Sequence, residues 1–138
     1  MNDTVEKILE ELKMEHDIED LVSFDDLNVQ EKLQENSYLV IHYKEKWINE
    51  MSILEGLEDK LDMLKGKQYD YYKFGIDKEL TKTEIEKYYL PGDKKVIQMK
   101  EIIRRQKVRA DFFEMAWRAL DKLGWNIKTF CDNEKRGM

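Results

Sequence analysis

The sequence predicts an all-α protein, built from long helices with a coiled-coil-like seam. Three observations point to helices that complete their core with copies of the same chain. The 138 residues contain one proline and six glycines, too few breakers for a strand-and-turn chain. Apolar residues recur in heptads across the middle of the chain. Charged residues make up 39% against 41% hydrophobic, a surface-rich balance that suits long helices and oligomers. At this length the chain reads as one helical domain, 1–138.

The domain divides into five segments. Segment 1–26 is an acidic helix and connector. Asp3 with Glu6 makes a capping box, and Val5, Ile8, Leu9 and Leu12 share one face up to about Glu15. The opposite face is almost wholly carboxylate. It suits either an ordinary packed amphipathic helix or an acidic arm for a basic partner. His16–Asp26 reads as an irregular acidic connector. Segment 27–74 is the long helix. One heptad position falls on Val40, Trp47, Leu54, Leu61 and Gln68, its partner on Tyr43, Glu50, Leu57, Leu64 and Tyr71. A helix of ~35 residues is about 50 Å long, more than a globule of this size can cover. Other copies of the chain are the simplest cover, which nominates Trp47, Leu54, Leu57, Leu61 and Leu64 for an oligomer interface.

Segment 75–92 is a break. Phe74-Gly75 predicts a left-handed helix end, Thr83–Tyr88 a short polar helix, and Pro91-Gly92-Asp93 a turn. Segment 93–124 is the last long helix. Asp93 is its N-cap; Val96, Met99, Ile103, Phe113, Ala116, Trp117, Leu120 and Leu123 form its apolar face; Gly124 is its C-cap. In the tail, 125–138, Trp125, Ile127 and Phe130 alternate more like a strand or docking arm than a helix, and they join the expected oligomer interface.

Charge is distributed unevenly. The chain carries −6, yet residues 94–109 hold seven basic side chains (Lys94, Lys95, Lys100, Arg104, Arg105, Lys107 and Arg109) against Glu101 alone, a local +6. Residues 1–36 hold twelve acids against three lysines. On a helix Lys100, Arg104 and Lys107 share a face, and Arg105 and Arg109 form the adjacent stripe. Such a surface matches the spaced charges of a sugar–phosphate backbone. A second group, Lys65, Lys67, Tyr69, Tyr71, Tyr72, Lys73 and Phe74, interleaves aromatics with lysines. Unstacked bases offer π-faces to the former and phosphates to the latter. Tyr71 lies on the heptad seam and reads as packing; Tyr69 and Tyr72 read as binding. The solvated-face reading of the basic run is weakened because only Glu101 offers local pairing.

Enzyme chemistry is poorly supported. A nucleotide-binding glycine loop, a two-carboxylate metal motif and a metal-type Cys/His spacing are all missing from the sequence. His16 and His42 stand apart, and the lone Cys131 reads as a small hydrophobe suited to a reducing compartment. Met1–Glu11 is acidic and lacks the apolar run of a signal peptide, and no stretch reaches the roughly 20 apolar residues of a membrane span. The expectation is a non-enzyme with no cofactor, metal or membrane association.

Several motifs carry a family resemblance. They are Val5-Glu6-Lys7-Ile8-Leu9-Glu10-Glu11-Leu12-Lys13, Tyr43 through Lys46-Trp47, and Asp70-Tyr71-Tyr72 followed by a glycine. Asp93-Lys94-Lys95-Val96-Ile97, Phe112-Phe113 through Ala119-Leu120-Asp121, Gly124-Trp125 and Ile127-Lys128 complete the set. In this order and spacing the chain resembles the UvsY family of recombination mediators from T-even-type phages, over nearly its whole length. The resemblance implies a non-enzymatic accessory factor in the cytoplasm of the infected bacterial host, acting in DNA recombination, repair and replication. It implies a ring-like homo-oligomer, a hexamer or heptamer, that binds single-stranded DNA. The resemblance further implies that such a ring helps displace the single-strand-DNA-binding protein and loads the RecA-like recombinase UvsX. The family's DNA contacts include basic residues just before aspartate-tyrosine-tyrosine; here that stretch reads Lys65-Gly66-Lys67-Gln68. Lys65 and Lys67 carry over, shifted by about a residue. A coiled-coil scaffold or protein-interaction adaptor without nucleic-acid binding is the rival reading, and it leaves the basic run unexplained.

Overall fold

The computed structural model describes residues 2–137, with side chains from residue 4 onward. Every regular element among them is helical: α1 (Asn2–Glu15), α2 (Ile18–Val22), α3 (Val29–Asp70), α4 (Lys82–Glu84) and α5 (Lys94–Arg136). Wide π-helical turns follow α3 at Tyr71–Gly75 and α4 at Ile85–Tyr89. Helix α3 is 42 residues long, about 63 Å at 1.5 Å per residue. It lies inside the expected segment 27–74. The expected capping box of Asp3 with Glu6 lies outside the described residues.

The chain forms two compact units, Met1–Glu50 with Val108–Met138, and Met51–Lys107. No composition shift marks the division, because it falls within α3 and α5. In the first unit the core is aromatic and aliphatic: Leu12, Ile18, Val29, Tyr43, Phe112, Phe113, Ala116, Leu120, Leu123 and Ile127. Helix α1 therefore contributes to this core through Leu12, with Ile8 and Leu9 packed against it. Its acidic face remains in water; the helix as a whole is a packed amphipathic element rather than a free arm. The connector after it is more ordered than its composition suggests. Asp17 accepts a hydrogen bond from the Asp20 amide at 3.1 Å and caps α2, whose Ile18 is buried.

Two expectations about glycine are corrected. No described glycine has positive φ, so neither Gly75 nor Gly124 forms a left-handed cap. Helix α3 ends by widening, after which Ile76 turns extended at φ −111° and ψ 160°. A Cβ at Gly75 would stand 3.1 Å from the Tyr71 ring, so the glycine makes room for that ring. Gly124 lies inside α5. A Cβ there would fall 2.5 Å from Asn36 Oδ1, whose amide Nδ2 donates to the Leu120 carbonyl at 2.7 Å. This glycine admits a side chain from α3 to the α5 backbone. The tail is likewise helical as far as Arg136, not a strand or arm. Leu120, Leu123, Ile127 and Phe130 continue the three- and four-residue spacing of the core face, which outweighs the local alternation of Trp125 and Ile127.

In the second unit the buried apolar residues are Leu54, Leu80, Ile85 and Val96. The short helix α4 is opened by Thr81 and Glu84 in a reciprocal capping box. Asp93 caps α5 as expected, accepting from the Val96 amide at 3.0 Å.

Candidate nucleic-acid interface

The second unit brings together residues that are far apart in sequence. The last turns of α3 carry Lys65 and Tyr69, both half-buried, and the first turns of α5 carry the exposed Lys100. All three line one cavity of about 410 Å³, with Gly66, Glu86, Leu90, Pro91 and Val96 completing it. A second hollow, of about 460 Å³, is lined by Gln68, Tyr71, Tyr72, Gly92, Asp93, Lys94 and Lys95. The two lysine-bearing segments of the sequence are therefore one neighbourhood, joined by the Pro91-Gly92 turn.

A hydrogen-bonded hub at Asp93 fixes that turn. Its carboxylate is buried, at 7% exposure. Oδ2 accepts from Gln68 Nε2 and from the Tyr72 hydroxyl, each at 2.7 Å, while Oδ1 holds the α5 cap. Burial alone pushes the Asp93 carboxyl up, but hydrogen bonds from Gln68, Tyr72 and the Val96 and Lys95 amides prevail and hold it below the usual range. Its partner moves the other way. The Tyr72 hydroxyl is pushed up to about 12, first by its bond to Asp93, then by desolvation and the charge of Asp93.

The structure separates the sequence-nominated residues into groups. Lys67, Lys94, Lys95, Lys100, Arg104, Arg105 and Lys107 are exposed. Arg105, exposed, lies 4.0 Å from the half-buried Glu101, a long contact of little energetic weight. Lys73 is exposed, but its Nζ donates to the Leu80 carbonyl at 2.9 Å. Tyr72 is half-buried, its hydroxyl bound to Asp93 and its ring between Tyr71 at 5.2 Å and Tyr89 at 5.3 Å. Arg109 falls in the first unit, where Nη2 and Nε donate to Glu50 Oε1 at 3.1 and 3.3 Å. Glu50, which interrupts the heptad seam, thus receives the end of the basic run.

The residues nominated for oligomer contact are distributed unevenly as well. Ile127 is fully buried at 0% exposure and Leu54 is buried, each within its own unit. Leu57, Leu61, Leu64, Trp47 and Phe130 are half-buried, Phe130 resting edge-on against Phe24 at 5.7 Å. Trp125 is open, at 65% exposure. Sequence reasoning missed a different open stripe on the first part of α3, Tyr38, Ile41 and Ile48, whose three- and seven-residue steps lie outside the seam. Tyr71 was read as packing, yet it is 51% exposed beside Lys94 and Lys95. Glu86, Leu90 and Pro91 carried no binding signal in the sequence, where Pro91 read only as a turn residue, since only the turn of the chain brings them to Lys65.

Among the described residues there is no cluster of His, Cys, Asp or Glu suited to a metal ion. Nor is any helix there long and apolar enough to cross a membrane.

The family described as "Recombination, repair and ssDNA binding protein UvsY" matches residues 13–137. The fold is similar to the crystal structure of the bacteriophage T4 recombination mediator protein UvsY. The TM-score is 0.78 at 21% identity, covering 94% of this chain and 98% of that one. No curated protein sequence matches the chain.

Proposed function

Since the chain belongs to the UvsY family of recombination, repair and single-stranded-DNA-binding proteins, we propose that it binds single-stranded DNA through the lysine-rich face of residues 51–107. The observation that carries this reading is the convergence of Lys65, Tyr69 and Lys100 on one cavity, with Lys94, Lys95 and Tyr71 around the next. Lysines pair with phosphates and the tyrosine rings give bases a surface to stack on. Lys67, Arg104, Arg105 and Lys107 extend the positive surface along α3 and α5.

The protein acts as a ring-like homo-oligomer, with Trp125 and the open stripe Tyr38, Ile41 and Ile48 supporting contact between copies. One subunit with a few phosphate contacts binds weakly at cellular salt. On a ring the later contacts become intramolecular, and avidity gains about 10²–10⁴-fold. DNA held this way is curved and accessible, which loosens a cooperative single-strand-binding protein and presents the strand to the RecA-like recombinase UvsX. The likeness to the T4 recombination mediator supports this place in recombination.

Anisotropy of a labelled oligothymidylate tests the reading. Log affinity should fall by roughly 0.7 per tenfold salt for each phosphate neutralised. Lys65→Glu with Lys100→Glu should weaken oligothymidylate and mixed-sequence strands both, because phosphate contacts carry no base code. A salt-independent affinity, or a double variant that binds as tightly as the parent, would sink it.

A further inference from the structure

We propose that the cavity lined by Lys65, Tyr69, Glu86 and Lys100 receives one base of the bound strand and prefers guanine. The proposal rests on the strand-binding reading above and adds a base preference to it. Its volume, about 410 Å³, falls in the range of small-ligand pockets. The walls combine Tyr69 with Leu90 and Pro91, an apolar lining suited to a flat heterocycle, over the fully buried Val96. Lys65 and Lys100 stand where the neighbouring phosphates would run.

Gly66 gives independent support. It sits inside α3, where glycine costs about 1 kcal/mol relative to alanine. A Cβ there would meet nothing within 4 Å, so no packing within the chain accounts for the glycine. At the cavity wall the missing methyl group leaves room for a base against the helix backbone. Gly56 on the same helix is equally unobstructed but is not part of the cavity lining, which makes it the matching control.

Glu86 sets the preference. It is the cavity's one carboxylate, it is exposed, and it makes no ion pair among the described residues. A carboxylate only accepts hydrogen bonds. Guanine alone among the four DNA bases offers two adjacent donors on its Watson–Crick edge, N1–H and the 2-amino group, which match the two oxygens. Thymine offers a single N–H between two carbonyls that the carboxylate repels. Edge readout of this kind is how unpaired bases are distinguished.

The test uses the full-length protein and short oligothymidylates carrying one guanine, one hypoxanthine (which lacks the 2-amino group), or no substitution, at fixed salt. The guanine strand should bind about tenfold more tightly than the thymine strand, with hypoxanthine in between. Glu86→Gln should reduce the preference to under about twofold while thymine-strand affinity holds or rises. Gly66→Ala should abolish it with helix content retained, and Gly56→Ala should leave it intact. Equal affinity for all three strands, or a preference that survives Glu86→Gln, overturns the proposal and leaves the strand-binding reading standing. Failure of every strand to bind overturns both.

Discussion

Replacing Asp93 by alanine removes three interactions at once. The α5 cap is worth about 1 kcal/mol, and the Gln68 and Tyr72 donors lose a charged acceptor at 2.7 Å. Both donors are half-buried and regain some water, so each loss amounts to roughly 1 kcal/mol. The total is about 3 kcal/mol, a large part of the roughly 5–15 kcal/mol that holds a domain together. Urea unfolding followed by far-ultraviolet circular dichroism, at one protein concentration, measures it. Tyr72→Phe alone should cost about 1 kcal/mol. It should cost almost nothing once Asp93 is already alanine, giving a coupling near 1 kcal/mol. Asp93→Asn keeps a capping oxygen and should fall between the parent and Asp93→Ala. An Asp93→Ala cost under about 1 kcal/mol, or strict additivity with Tyr72→Phe, would refute the hub.

Three further outcomes follow from the same geometry. The folded Tyr72 hydroxyl keeps its proton to about 12, whereas an unfolded chain releases it near 10. Stability should therefore fall as pH rises through that window, by roughly 2 kcal/mol, and Tyr72→Phe should flatten the fall. His16 shares a 2.9 Å hydrogen bond with the Tyr43 hydroxyl, and burial holds its pKa below 6.5. Nearby Lys46, His42 and Arg109 act in the same direction, against Glu15. The unfolded chain then takes up a proton first, so urea midpoints should drop as pH falls below about 6.5; a midpoint that rises on acidification would contradict this. Gly124→Ala should destabilise by roughly 1–2 kcal/mol by displacing the Asn36 amide. In an Asn36→Ala background, where that clash is gone, its measured cost should vanish.

Local signals in the sequence are enough to locate the two long helices. Heptad spacing reveals the body of α3 from Val40 onward, and Asp93 announces α5 because a cap is a contact over three residues. What the sequence conceals is long-range. Gly124 reads as a stop because a glycine after an apolar run commonly ends a helix. Its real neighbour, Asn36, lies on another helix, and no local pattern names it. The alternation of Trp125 and Ile127 is compatible with a strand until the core side of Leu120 and Leu123 is known. For the candidate site, the lysines and tyrosines are visible as composition. Their division into solvent-facing groups and internally bonded ones is not, because Tyr72 and Arg109 depend on Asp93 and Glu50, met only after the chain has folded back. Glu86 is one carboxylate among many until Lys65 and Lys100 lie beside it.

The path of the backbone has an evolutionary consequence. Residues 51–107 are contiguous, whereas the other unit is assembled from what precedes and follows them. The strand departs just past Glu50 and returns just before Arg109, and those two side chains clasp one another at 3.1 Å. Surface charges between those two points can change without touching the residues that build the aromatic core. Selection can therefore retune the lysine-bearing module while the aromatic nucleus around Tyr43 and Phe113 stays unchanged.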